Sequence, residues 1–263
     1  MARTARWRES DIVSGFVEIT LSRWGYFEDY IRQEMLDFRN FIWRGQRSAA
    51  WPLESTLDRL LRRCGKLRSK KARSEHLQRF ILSTRGRRGV NPPILTTDND
   101  WWALGQHYGL ATPLLDWTTS PYVAAYFAFV KEENVGATRR AVYALSRTAV
   151  ERKSHEVTDD WKSEDRAPIV ELVEPRSDEN SRLVSQGGLF TRAPDAVTLD
   201  AWVRENFKDE KKWIRLLKIT IPNSDRELAL RTLNRMNINH LSLFPDLYGA
   251  SKYANIDLLI DKY

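Results

Sequence analysis

The residues best equipped for chemistry crowd into one stretch, Leu104 to Phe129, which reads LGQHYGLATPLLDWTTSPYVAAYFAF. Gln106, His107 and Tyr108 open it with hydrogen-bonding and aromatic groups. Asp116 and Trp117 follow, then three hydroxyls in a row, Thr118, Thr119 and Ser120, ahead of Pro121. Proline in the first turn of a helix gives up no hydrogen bond, and a hydroxyl just before it can satisfy an orphan amide. The pattern therefore sets hydroxyls, a carboxylate and an aromatic at a helix N-terminus, an environment suited to a phosphate group. A well-capped core helix would carry the same residues, so both readings stand at this level. The second candidate is Arg44, near the end of Asn40–Gln46, whose aromatic and β-branched residues read as a short buried strand closed by Gly45. Arginine is rarely buried without a partner. Arg44 either pairs with a carboxylate of the chain or offers its planar fork to an anionic ligand such as a phosphate.

Several other chemistries find no footing. The chain has no GxxxxGK[ST] phosphate loop, no GxGxxG fingerprint and no GxSxG elbow. Its one cysteine, Cys64, excludes an internal disulfide and a cysteine-rich zinc site, and no histidine is spaced to mark it as a nucleophile. Histidines 76, 107, 155 and 240 lack metal-ligand spacing, so no metal is expected. A metal-dependent nuclease would need clustered acids. Glu132-Glu133 and Asp159-Asp160 read instead as solvated surface.

Elements must hold these candidates in place. Residues 11–21 are apolar and ambiguous between strand and helix. Ser22 is placed to cap a helix to about Asp37, with Trp24, Phe27, Ile31 and Met35 inward at helical spacing. A helix is expected from about Ser55, then an exposed basic loop over 64–74, then a helix capped by Ser74 and running through Ser83 with Leu77, Phe80 and Ile81 inward. Trp101 and Trp102 lie on a helix entering Gln106, and a helix begins at Pro121. Strands are expected at Ala141–Leu145, Ile169–Val173, Arg182–Thr191 (two halves around Gly187-Gly188) and Trp213–Ile221. The polar stretch 146–166 reads as irregular. Short helices are expected at 199–210 and, capped by Ser224, at Arg226–Met236, before a last helix beyond Gly249. The interleaving gives an α+β fold in one domain spanning 1–263, with a helical N-terminal part over about 1–38 and a basic helical insertion over about 55–100.

Net charge is +7 over 263 residues, but it is uneven. Arg59 to Arg88 holds twelve Lys or Arg against one acid, Glu75. That segment thus carries +11 and the rest of the chain −4. Such asymmetry suits an anionic partner, nucleic acid above all, or simply a solvated helical face. No apolar run approaches the roughly 20 residues of a membrane span, and the N-terminus lacks the apolar core of a secretory signal. A cytoplasmic protein with no membrane partner is expected.

The scattered signals resemble the FRG domain family, named for a Phe/Trp-Arg-Gly motif. The resemblance rests on Trp43-Arg44-Gly45-Gln46 with Trp51-Pro52-Leu53 and Arg59, on Gln106-His107-Tyr108-Gly109-Leu110, and on Leu114 to Pro121 with Ala124 to Ala128. It continues through Gln186-Gly187-Gly188-Leu189-Phe190 and Leu243 to Gly249. Where the family commonly has a basic residue, this chain has Pro113.

The block order is similar to that of ADP-ribosyltransferases of the Arg–Ser-Thr-Ser–Glu type. The resemblance implies a mixed or antiparallel split sheet with flanking helices and NAD as substrate, without a metal. Arg44-Gly45 matches the strand-end Arg-Gly that holds a phosphate or ribose, with Gln46 beside it. Thr118, Thr119 and Ser120, with Phe127 in Ala125-Tyr126-Phe127-Ala128, resemble the block that supports the nicotinamide side. For the late-strand glutamate the candidate is Gln186, with Asp116 and Asp246 as alternatives. Arg44 would clamp the pyrophosphate, Thr118 and Ser120 would orient the ribose, and Asp116 or Gln186 would stabilise the oxocarbenium. His107 and Tyr108 would stack on nicotinamide or bond a ribose hydroxyl. The resemblance implies a mono-ADP-ribosyltransferase, a toxin or anti-phage effector acting on RNA more than DNA, or on protein. Segment 59–88 would guide the acceptor, and an antitoxin or regulatory partner would restrain the activity. The rival expectation is a non-catalytic module that binds a nucleotide or nucleic acid. His107 as a core histidine, Asp116 as the simple partner of Arg44 and Phe244-Pro245-Asp246 as a plain turn are the structural alternatives.

Overall fold

A computed structural model of the chain describes residues 5–89, 91–132, 136–174 and 185–263. Eight strands form one mixed sheet in the order β1-β2-β8-β5-β3-β4-β7-β6. They are β1 (Trp7–Glu9), β2 (Phe16–Leu21), β3 (Phe41–Gln46), β4 (Leu114–Thr118), β5 (Arg139–Ser146), β6 (Glu171–Val173), β7 (Gly188–Arg192) and β8 (Leu216–Pro222). Only β2 and β8 pair in parallel; the other neighbours are antiparallel. The described residues thus form an α+β fold with a mixed sheet and flanking helices.

Residue alternation explains the layering. In β2, Val17, Ile19 and Leu21 are buried on one face. The central strand β5 is apolar on both faces: Val142 and Ala144 join one core, Ala141, Tyr143 and Leu145 the other. Strands covered on both sides read as continuous apolar runs. The first core is closed by α1 (Tyr26–Tyr30), which continues as a π-helical turn over Ile31–Met35, and by α5 (Pro121–Phe129) and the C-terminal helices. The second is closed by α6 (Arg147–Asp160) and α7 (Leu199–Asn206). A third, smaller core joins α2 (Thr56–Arg63), α3 (Lys70–Ser83) and α4 (Asp98–His107) to Leu114 and Phe190. The chain ends in α8 (Arg226–Arg235), α9 (His240–Leu243) and α10 (Leu247–Leu259). Among the described residues, no helix is long and apolar enough to cross a membrane.

Several expectations need correction. The first 38 residues are not wholly helical, because β1 and β2 occupy Trp7–Leu21. Ser22 caps nothing: its hydroxyl donates to Arg6 O at 3.1 Å, so α1 starts later, at Tyr26. Trp24, Phe27, Ile31 and Met35 are nonetheless buried. The basic loop is shorter than its composition implied. Ser69, not Ser74, accepts the capping bond from the Ala72 amide, and α3 begins at Lys70. One of its cations, Arg73, turns inward to pair with buried Asp58. Polar residues after Ser146 form α6 rather than an irregular stretch, since Ala149 and Val150 at adjoining turn positions reach the core. Ser224 is not the cap of α8, which has no side-chain cap; Asp225 instead accepts from the Trp24 amide at 2.7 Å. The first half of the Arg182–Thr191 strand lies mostly outside the described residues; its second half is β7.

α5 is the helix against which the middle of the sheet is built. Six of its nine residues are buried, including Tyr126 and Phe129. A helix apolar all round belongs inside. It lies directly on β3, and Gly45 is the reason it can. A Cβ at position 45 would overlap the Ala124 carbonyl oxygen and come within 2.6 Å of the Ala128 nitrogen. Gly45 therefore sits within the strand and does not end it.

Candidate functional site

The sheet parts between β3 and β4. These strands share one register pair, Trp43 opposite Thr118. Beyond it the ladder gives way to the side chain of Arg44, whose Nη1 donates to the Asp116 carbonyl at 2.8 Å and lies 3.5 Å from Asp116 Oδ2. A cleft of about 830 Å³ opens at this gap. That volume is within the range of small-molecule sites. Arg44, Gly45, Gln46, Asp116, Thr118, Phe127 and Gln186 all line it.

Each comes from a different constraint. Burial pulls the Arg44 guanidinium below the ordinary arginine value, with Asp116 opposing that shift. Its Nε is buried with no hydrogen-bond partner among the described residues. Unlike Arg44, Asp116 is well exposed, at 60 % of its side chain. It also accepts from Gln106 Nε2 at 2.9 Å. Thr118 Oγ1 donates to Gln186 O at 2.6 Å and accepts from the Ser120 amide at 3.1 Å, tying β4 to the segment before β7. Gln46 Nε2 donates to Trp51 O at 2.6 Å, so its amide is committed to holding the 48–52 loop.

Gln186 is not on a strand. It occupies a helical turn just ahead of β7 and donates from Nε2 to Leu243 O at 3.1 Å, because Gly187, at φ +54, turns the chain before the ladder begins. It still lines the cleft. Five other candidates do not line it. Ser120 Oγ caps α5 through the Val123 amide at 3.3 Å. Thr119 is exposed over Gly187, where an added Cβ would lie 2.7 Å from its Oγ1. His107 closes α4 with its ring edge-on to Tyr108 at 4.7 Å, and Tyr108 is 74 % exposed. Asp246 caps α10, accepting from the Gly249 amide at 2.9 Å.

Folding also recruits residues that sequence reasoning had not placed here. Arg47, Arg59 and Lys131 join Arg44 around the cleft, with Trp51 and Phe244 as aromatic walls. Arg47 lies over the Trp51 ring at 5.4 Å. Burial and the charge of Arg44 both depress the Arg59 guanidinium. Glu54 also lines the cleft, but Arg62 holds its carboxylate. Gathering like charges this way costs stability and favours a multiply charged anion. Trp51, Arg59 and Phe244 had a trace in the sequence, as members of the blocks that carry the family resemblance; Arg47 and Lys131 had none. Lys131 and Phe244 reach the cleft through the packing of α5 and α9.

The comparisons bear on the same stretch. The family model of the FRG domain matches residues 39–136. No curated protein and no solved structure matches the chain. The matched residues run from the start of β3 past the end of α5, the segment that supplies Arg44, Asp116 and Thr118: residues 39–136 match the FRG domain, and the cleft is formed largely by that segment.

Proposed function

We propose that the cleft binds NAD and that the chain transfers its ADP-ribose to an acceptor, on a split sheet of ADP-ribosyltransferase type. The observation that carries this reading is the meeting of Arg44 on β3 with Asp116 and Thr118 on β4 in one cleft at the break in the ladder. Arg44, with Arg47 and Arg59, suits a pyrophosphate. Trp51, Phe127 and Phe244 offer apolar faces to the rings. In the reaction the bond from C1′ to the nicotinamide nitrogen breaks, and its electron pair leaves with nicotinamide. Asp116 stabilises the cationic C1′. A nucleophile of the acceptor then bonds C1′ and loses its proton to water. The acceptor is a nucleic acid, RNA before DNA, guided by the exposed cations of segment 59–88, with protein as the alternative. The activity is that of a cytoplasmic toxin or anti-phage effector, held in check by an antitoxin or regulatory partner.

One observation favours a second reading. Gln186, in place of the late glutamate, is neutral and is bonded to Leu243 O. A cleft without that acid would serve a non-catalytic nucleotide-binding module. Incubation with labelled NAD and RNA, DNA or lysate separates the two. Transfer should release nicotinamide and label the acceptor, and Arg44→Ala should abolish both. A thermal shift with NAD left intact supports the binding module and rejects the transferase.

A further inference from the structure

Gln106 stands behind Asp116 in a way the proposed chemistry does not by itself require. It lies near the end of α4, and its amide is gripped at both ends. Thr112 Oγ1 donates to Gln106 Oε1. Gln106 Nε2 donates to Asp116 Oδ2 at 2.9 Å. A glutamine amide can present oxygen or nitrogen to a neighbour, and its partners decide which. Asp116 decides here: its carboxylate accepts and so takes Nε2, which turns Oε1 to the fully buried Thr112. That hydroxyl accepts from the Leu114 amide at 3.3 Å and gives its proton to Gln106. The start of α2 fixes it in turn: the Thr112 amide donates to Thr56 Oγ1 at 2.9 Å, and the Leu57 amide donates to Thr112 O at 3.0 Å.

We infer that Gln106 is a positioning residue for Asp116: the relay Thr56–Thr112–Gln106 fixes the rotamer of that carboxylate so that it meets the ribose of the bound nucleotide. The exposed Asp116 side chain has a longer, 3.5 Å contact with Arg44, which a phosphate would compete for. The amide is the contact that survives when Arg44 turns to a ligand. A neutral donor orients the carboxylate without cancelling its charge, whereas a cation in the same place would weaken its hold on a positive centre. Both contacts fall on Oδ2, which leaves Oδ1 to the ribose.

The inference rests on the nucleotide reading above, and a double-mutant cycle tests it separately. Nicotinamide release and ADP-ribose affinity are measured for the parent, Gln106→Leu, Asp116→Asn and the pair. Gln106→Leu should lower kcat about tenfold with KM within about threefold, and should add nothing once Asp116 is Asn. Thr112→Val should repeat the Gln106→Leu loss and Thr112→Ser should restore it. An equal loss from Gln106→Leu in both Asp116 backgrounds overturns the inference, as does a loss that follows the melting temperature alone. If the parent releases no nicotinamide, the transferase reading fails by itself, and the cycle is read from the ADP-ribose Kd. There Gln106→Leu should weaken binding about threefold, again only while Asp116 is present. A parent that binds no ADP-ribose overturns both.

Discussion

Gly45 and Ala124 leave no space for a side chain between β3 and α5, because a Cβ on Gly45 would run into the Ala124 carbonyl. This contact carries the cleft, since Arg44 precedes Gly45 and Phe127 lies one turn beyond Ala124. Gly45→Ala should therefore cost at least the 1–3 kcal/mol typical of overpacking, about 2–4 °C of melting temperature per kcal/mol in a chain of this size. Thermal denaturation measures it. An unchanged melting temperature would mean that α5 is not seated against the strand.

In the proposed nucleotide site Arg44 would act through the shape of its guanidinium as well as its charge. Arg44→Lys keeps the charge and loses the fork, so ADP-ribose affinity should fall about tenfold or more. Arg59 provides the contrast. Its guanidinium is disfavoured by burial and by Arg44. Arg59→Gln should weaken ligand binding while leaving the melting temperature level or higher. Calorimetry alongside thermal denaturation reads both.

A buried histidine sets an acid limit on stability. His240 shares a hydrogen bond with Tyr126, and burial lowers its pKa from 6.5 to about 4. Between those values the unfolded chain binds a proton that the folded chain refuses. Stability should therefore be unaffected by this group above pH 6.5, decline by up to about 1.4 kcal/mol per pH unit as pH falls toward 4, and level off below. Urea midpoints for the parent and His240→Asn, taken across that window, isolate the contribution. A parent slope no steeper than that of the variant would show that His240 protonates freely in the folded state.

The basic segment divides into structural and surface cations. Arg73 and Asp58 are both buried, and the same guanidinium donates to Leu67 O at 2.8 Å. Arg73→Ala should cost about 3–5 kcal/mol, as expected when one partner of a buried pair is removed. Arg63, Lys71 and Arg79 are exposed. Their replacement by glutamine should leave the melting temperature within about 1 °C, since surface charges contribute little. RNA affinity should fall, and its salt dependence should flatten by about one unit of slope per cation removed. Filter binding at several salt concentrations checks this, and an unaltered slope would place the acceptor elsewhere.

Local chemistry by itself determined much of this protein. The hydroxyl-proline start of α5, the strand around Arg44, and the inward set Trp24, Phe27, Ile31 and Met35 follow from spacing and capping, which act over a few residues. The FRG blocks from Trp43 to Ala128, which fall within the matched residues, were legible because they lie in fixed order along the chain. What only the tertiary structure decided is which of those residues share a cavity. Thr118 faces the cleft while Ser120, two positions on, caps a helix, because β4 ends and α5 begins between them. His107 leaves the cleft and Gln106 enters it, because adjacent residues on a helix point about 100° apart. Arg47 and Lys131 arrive from just beyond the ends of β3 and α5. No local pattern marks such residues, since their convergence is set by where the ladder between β3 and β4 gives way and by how closely α5 can approach a glycine.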